Sequence, residues 1–243
     1  MFKAPAIFEP MDRRIRLRLN DDVVADSDRA MMLISPGRHP VYYLPKADFA
    51  AGALLPSAAA PDRIWSLHAG RVTLEGVAAA FEGDAHGLAP MADHLTVAWD
   101  AVRWFEEDEE ILRHPRNPYV RVDCIHSSRR VQVVLDGQVV ADTRRAVFLF
   151  ETGHVTRHYM PIEDVRPGIL RPSALRTYCP YKGEAGYRSV ELAGRVHDNV
   201  VWSYDGPYDE CLKIKGLVAF YNEKVDAVLV DGKPASGRFP PRI

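Results

Sequence analysis

Apolar and polar positions alternate only over short stretches of this chain. Residues 129–135 alternate in part, Asp136-Gly137 is a hairpin-turn signal, and 138–141 returns as a second strand. Residues 146–150 form an apolar run suited to a buried strand. Further strands are predicted over 155–160, 187–192, 196–204, 217–221 and 225–230, with a turn at Ala193-Gly194. Helical periodicity is weak, and 162–170 and 208–214 each accommodate a short helical turn. Short strands separated by Gly, Pro and Asp turns predict a mainly β chain of antiparallel sheets with few short helices.

The pattern occurs twice. Residues 16–27, RLRLNDDVVADS, resemble 132–143, QVVLDGQVVADT, at a spacing of 116. The same spacing pairs Arg29 with Arg145, Gly37 with Gly153, Tyr43 with Tyr159, Asp48 with Asp164 and Pro56-Ser57 with Pro172-Ser173. Extended without a gap, it sets 102–105 on 218–221. The chain therefore divides into a first copy, 12–106, a proline-containing linker, 107–128, a second copy, 129–232, and a tail, 233–243. Two copies in one chain imitate a twofold dimer, so either a pseudo-symmetric monomer or a homodimer is expected.

Composition narrows the function classes. The 243 residues are 47% hydrophobic, enough for a core in each copy, and the formal charge of −2 disfavours an electrostatic nucleic-acid binder. No apolar stretch reaches the ~18–20 residues of a membrane span. Residues 1–10 lack the basic and apolar regions of a secretory signal, so a cytoplasmic protein is expected. Cys124, Cys179 and Cys211 are odd in number and form no Cys-x-x-Cys pair. They indicate neither a disulfide framework nor a metal centre. No cofactor is expected.

Candidate chemistry concentrates where the copies differ. At the fixed spacing Arg63 stands for Cys179, Ser66 for Lys182, Arg71 for Tyr187 and His86 for Trp202. Cys179 is a candidate nucleophile, because a nearby ammonium such as Lys182 raises the thiolate fraction. The competing reading is an inert buried thiol. Lys182 before Gly183 suits an anion contact or proton transfer, or a plain surface turn. Glu151, with Ser35 opposite it, is a candidate base or a partner for Lys182 or Arg157. Arg157 and His158 are specific to the second copy, and His158 is a candidate proton shuttle. Tyr159, Tyr187, Trp202 and Tyr204 are candidate pocket walls or ordinary core. Arg145 is a candidate carboxylate anchor, although its presence in both copies favours an Asp142–Arg145 structural pair. Cys124 and Cys211 read as structural.

The second copy contains VVADTxR, YxPxxDV, PS and CPYKGxAxY, followed by VWSY and IxGxxAFY. This combination resembles the domain of unknown function 427, in its two-domain form, and the segment HPRNPYVRVD resembles the linker of such members. The resemblance implies a compact β fold similar to the β-tent of methionine sulfoxide reductase B. It implies no settled activity, and neither a Gly-rich phosphate loop nor paired metal-binding carboxylates support a nucleotidyltransferase. The expected function is hydrolysis or group transfer on a small polar metabolite, with Cys179, Lys182 and Glu151 catalytic. The alternative is a non-catalytic module that binds a small ligand or serves assembly. Neither nucleic acid nor membrane is an expected partner.

Overall fold

The computed structural model describes residues 6–83 and 88–235 and divides the chain into two units, 1–117 and 118–243. Unit one runs through β1 (Ile7–Pro10), β2 (Ile15–Leu19), β3 (Asp22–Ser27), β4 (Met31–Ile34), β5 (Val41–Pro45), β6 (Leu54–Pro56), β7 (Ile64–Ala69), β8 (Val72–Phe81), β9 (Met91–Val97), β10 (Arg103–Glu106) and β11 (Glu109–Ile111). Unit two repeats the series as β12 (Val122–Ser127), β13 (Val131–Leu135), β14 (Gln138–Thr143), β15 (Ala146–Glu151), β16 (Arg157–Tyr159), β17 (Leu170–Cys179), β18 (Gly183–Leu192), β19 (Arg195–Ser203), β20 (Val218–Phe220), β21 (Ala227–Val230) and β22 (Lys233–Pro234). The described helices are short 3₁₀ turns, including Ile162–Asp164 and Asp209–Ile214 within the stretches predicted to turn. No described helix is long and apolar enough to cross a membrane.

The topologies correspond strand for strand. In unit one a long antiparallel sheet runs β1-β4-β5-β9-β8-β7-β6 and a second runs β11-β10-β2-β3. Unit two orders its strands β12-β15-β16 and β20-β19-β18-β17, joined by the Met160–Val218 bridge, with β14-β13-β21-β22 as the second sheet. Two-residue turns close several of the hairpins, those of β2–β3, β7–β8, β13–β14 and β18–β19 among them. Asp136 and Gly137 take φ of 49° and 70°, as a hairpin with the right-handed strand twist requires. Unit one buries Ile15, Leu17, Leu44, Leu67, Leu95 and Trp104 in its core. Unit two has two buried clusters, because β15, the C-terminal half of β19, and β20 bury consecutive residues and so fill both faces. Val133, Phe148, Met160, Val190, Val201 and Val218 lie in one. Val147, Leu149, Tyr159, Tyr187, Trp202 and Tyr204 lie in the other.

Strand register corrects the fixed spacing of 116. Leu54 pairs with Leu67, whereas Leu170 pairs with Val190. The first members stay 116 apart and their partners are 123 apart, so seven extra residues lengthen the β17–β18 hairpin. Side-chain bonds agree: Ser66 donates to Glu75 and accepts from the Gly76 N–H, as Ser189 does with Asp198 and the Asn199 N–H. Trp104, opposite Leu17, then matches Val228, opposite Val133, and not Phe220. Ser66 is thus the counterpart of Ser189 rather than of Lys182, and His86 lies outside the described residues.

The stretch expected as linker also carries strands. The acidic run turns a hairpin, with Glu106 opposite Glu109 and Asp108 paired to Arg16 at 2.6 Å. Val122–Ser127 joins unit two by pairing with β15.

Candidate functional site

The seven-residue extension carries the CPYKG motif, and its local chemistry dictates the turn. The Lys182 N–H donates to the Cys179 carbonyl at 3.2 Å, closing a β-turn with Pro180 in the second position, where its fixed φ is preferred. The turn brings the first and fourth side chains, Cys179 and Lys182, together, and the thiol and ammonium are in contact. Gly183 follows at φ +98°, and a Cβ there would lie 3.1 Å from the Gly206 carbonyl oxygen. Gly183→Ala is therefore expected to destabilise unit two by ~1–3 kcal/mol and to displace Lys182. Urea unfolding of the variant, with a transition unchanged from wild type, would show the turn to be tolerant.

Glu151, at the end of β15, accepts a hydrogen bond from Lys182 Nζ at 2.7 Å, and the two side chains are only 12% and 10% exposed. Burial pulls the Lys182 ammonium down, but the charge of Glu151 and the neighbouring Cys179 outweigh it and hold the group above its ordinary value. Tyr159 and Tyr204 lie within the electrostatic reach of Glu151 and Cys179, and burial raises both phenols well above their usual range. They stay protonated. Trp202 Nε1 donates to the Tyr159 hydroxyl at 2.9 Å, fixing both rings. The Tyr187 hydroxyl bonds Thr177 at 2.8 Å and Tyr221 at 3.2 Å. Arg157 lies 5.5 Å over the Trp202 ring and 5.6 Å over Tyr221, held by a two-pronged pair with Glu223 at 2.8 and 2.9 Å.

The structure thus gathers Cys179, Lys182, Glu151, Tyr159, Tyr187, Trp202 and Tyr204 around one cluster, with Arg157 at its aromatic edge. It does not gather the other two. Arg145 is exposed and paired with Asp164 at 2.6 Å, as Arg29 is with Asp48 in unit one. Asp142 is held by Arg130 instead of Arg145. His158 faces the other way, since alternate residues of β16 point to opposite faces. It stacks edge-on to Phe148 at 4.6 Å, and burial followed by the charges of Arg129 and Arg157 pushes it down to about 4. A neutral imidazole on that face is no proton shuttle near pH 7.

Cys124 and Cys211, which read as structural in the sequence, are buried in the same cluster. Their thiols contact each other and both feel the Lys182 charge. Contact with Cys211 lowers Cys124, while contact with Cys124 and then burial raise Cys211. The pairing of β12 with β15, Cys124 opposite Leu149, and the Lys213 Nζ bond to the Cys124 carbonyl at 3.1 Å bring Cys124 here, and nothing in its local sequence signals either.

Unit one fills the same place with rings. By register Phe8 replaces Cys124, Phe81 replaces Tyr204, and Ala79 replaces Trp202. Phe8, Tyr43 and Phe81 pack edge-to-face with centroids 4.8 to 5.8 Å apart. Among the described residues the polar cluster belongs to unit two alone.

No curated protein matches the chain. The family model for the domain of unknown function 427 matches it twice, over 7–108 and 123–231, the two segments coinciding with the two sets of strands. The chain is a tandem, two-copy member of the domain of unknown function 427 family.

Proposed function

We propose that unit two is a small-molecule enzyme, a hydrolase or group transferase in which the Cys179 thiol is the nucleophile. The observation that carries this reading is the buried Lys182–Glu151 pair beside a part-buried thiol, on an extension that unit one lacks. A buried ion pair is a poor device for stability, so its presence beside a nucleophile favours a chemical role. Lys182 compensates the charge of an attacking thiolate, and Glu151 holds the ammonium and relays a proton. Tyr159 and Tyr204 supply neutral hydroxyl donors, while Tyr187 and Trp202 form the apolar wall for a small polar metabolite. The three free cysteines suit the reducing cytoplasm, where we place the protein.

Iodoacetamide labelling with peptide mass mapping tests the nucleophile. Cys179 is expected to react first, because Cys124 and Cys211 are buried. A metabolite thermal-shift and turnover screen then compares wild type with Cys179→Ala. Turnover lost with ligand binding retained supports the enzyme. Preferential labelling of another cysteine, or turnover that survives Cys179→Ala, overturns it.

A further inference from the structure

A concave site lies on the other face of the same sheet. By strand alternation, Gly186, Arg188 and Ser203 point away from the face that carries Tyr187, Trp202 and Tyr204. They line a groove of about 270 Å³ together with Arg171, Arg176 and Asp205. Two register breaks open it, one in β17 between Pro172 and Arg176 and one in β18 between Arg188 and Val190. The Ser173 hydroxyl holds the first break by accepting the Leu175 N–H at 3.0 Å. Gly186 leaves the floor without a side chain, and the Arg176 guanidinium lies across it, 3.7 Å from where a Cβ would stand.

One of the three arginines in this groove is left without an ion pair among the described residues. Arg171 pairs with Glu191 at 2.8 Å, and Arg176 lies 3.7 Å from Glu184. Arg188 has no carboxylate within ion-pair distance among the described residues, and its Nη1 donates to the Ser203 hydroxyl at 2.9 Å. Asp205 is the single acid in the lining, and with Glu191 and Glu184 it sets three carboxylates against the three guanidinium groups, so what marks Arg188 is its lack of an ion pair and not a net positive charge. Unit one has none of the three arginines. Trp65 is buried at the Arg188 position, Leu55 replaces Arg171, and Arg176 lies in the extension.

We propose that this groove is an oxyanion site, taking the phosphate or carboxylate group of a small molecule on Arg188, Arg176 and the Ser203 hydroxyl. A planar guanidinium fork with an adjacent hydroxyl matches either group, and the modest volume suits a headgroup rather than an extended ligand. Tyr187 also lines this groove, but Arg188, Arg176 and Ser203 take no part in the thiol chemistry proposed for the opposite face.

The test is an amide NMR titration of the whole chain with sodium phosphate and, separately, sodium acetate, at constant ionic strength in chloride. Saturable shifts are expected at Gly186, Arg188 and Ser203 with one anion or both, and the stronger anion identifies the headgroup. Arg188→Gln is expected to weaken binding about tenfold, the loss of one charge-assisted hydrogen bond. The more exposed Arg176→Gln does the same should Arg188→Gln fail to fold. Cys179→Ser leaves the titration unchanged even if the thiol is no nucleophile. Non-saturating shifts with both anions, or equal affinity in a folded Arg188→Gln or Arg176→Gln, would overturn the site.

Discussion

Lys182→Met is expected to destabilise unit two by ~3–5 kcal/mol, because it strands the Glu151 carboxylate in a buried aromatic setting. The double variant Lys182→Met/Glu151→Leu removes both charges and is expected to recover most of that loss. Buried ion pairs replaced by apolar groups of similar volume are frequently neutral. The pH dependence has a definite sign. The folded state holds the Lys182 ammonium above its ordinary value of 10.5, so the pair's contribution is complete at neutral pH and fades as pH rises through the folded value. Urea unfolding across the alkaline range, on wild type and both variants, checks each element. If Lys182→Met unfolds with wild type, or if the double variant is no better than the single, the pair is not the electrostatic unit described here. Under the catalytic reading the double variant is stable and inactive, a separation that a purely structural pair does not produce.

Much of the scaffold is legible in the sequence because it depends on local chemistry. Asp136-Gly137 and Ala193-Gly194 accept positive φ, and both close hairpins. The conspicuous apolar strands follow from alternation and β-branched content. Leu170–Cys179 was not predicted, since Pro172 and the charged Arg171 and Arg176 mask an edge strand that pairs on one side only. The fixed spacing failed for a related reason. A hairpin can lengthen by an extra stretch without disturbing its base, so similarity before and after the extension remains while the residues between lose their counterparts. Asp198 and Asn199, whose bonds to Ser189 mirror Glu75 and Gly76 on Ser66, reveal the true alignment only once the strands are paired.

The site is legible in part for the same physical reasons. Cys179 and Lys182 are joined by a four-residue turn, which sequence proximity and Pro180 can indicate. Glu151 reaches Lys182 from 31 positions away, and its absence from the first copy was the available signal. Cys124 arrives across a strand pairing and leaves no local trace. Arg145 is in a structural pair, as its presence in both copies favours, but with Asp164 and not Asp142, and His158 leaves the cluster. The Asp48 and Asp164 partners of Arg29 and Arg145 were present in both copies, and strand alternation already separated His158 from Tyr159.

His158 carries the second large expected effect, an acid destabilisation of unit two. Its imidazole is buried, lies against Phe148, and has an Nδ1 atom with no hydrogen-bond partner among the described residues. Burial first, then the Arg129 and Arg157 charges, push it down to about 4 from an unfolded value near 6.5. Between those values the unfolded chain holds a proton that the folded chain refuses, so stability rises with pH across that window and falls on acidification. The difference corresponds to about 3 kcal/mol lost by pH 4. The carboxylates of Asp142, Asp164, Glu223 and Asp231, held below their ordinary range chiefly by arginine hydrogen bonds, add their own loss further down. His158→Phe keeps a ring against Phe148 and removes the proton acceptor. Its unfolding free energy is expected to match wild type within about 1.5 kcal/mol at pH 7, as volume-conserving core swaps do, and to stay flat from pH 6.5 to 4.5. A wild-type slope retained in His158→Phe would assign the acid sensitivity to other groups. An imidazole that charges so reluctantly is held as an apolar ring, which is the role its face of β16 assigns to it.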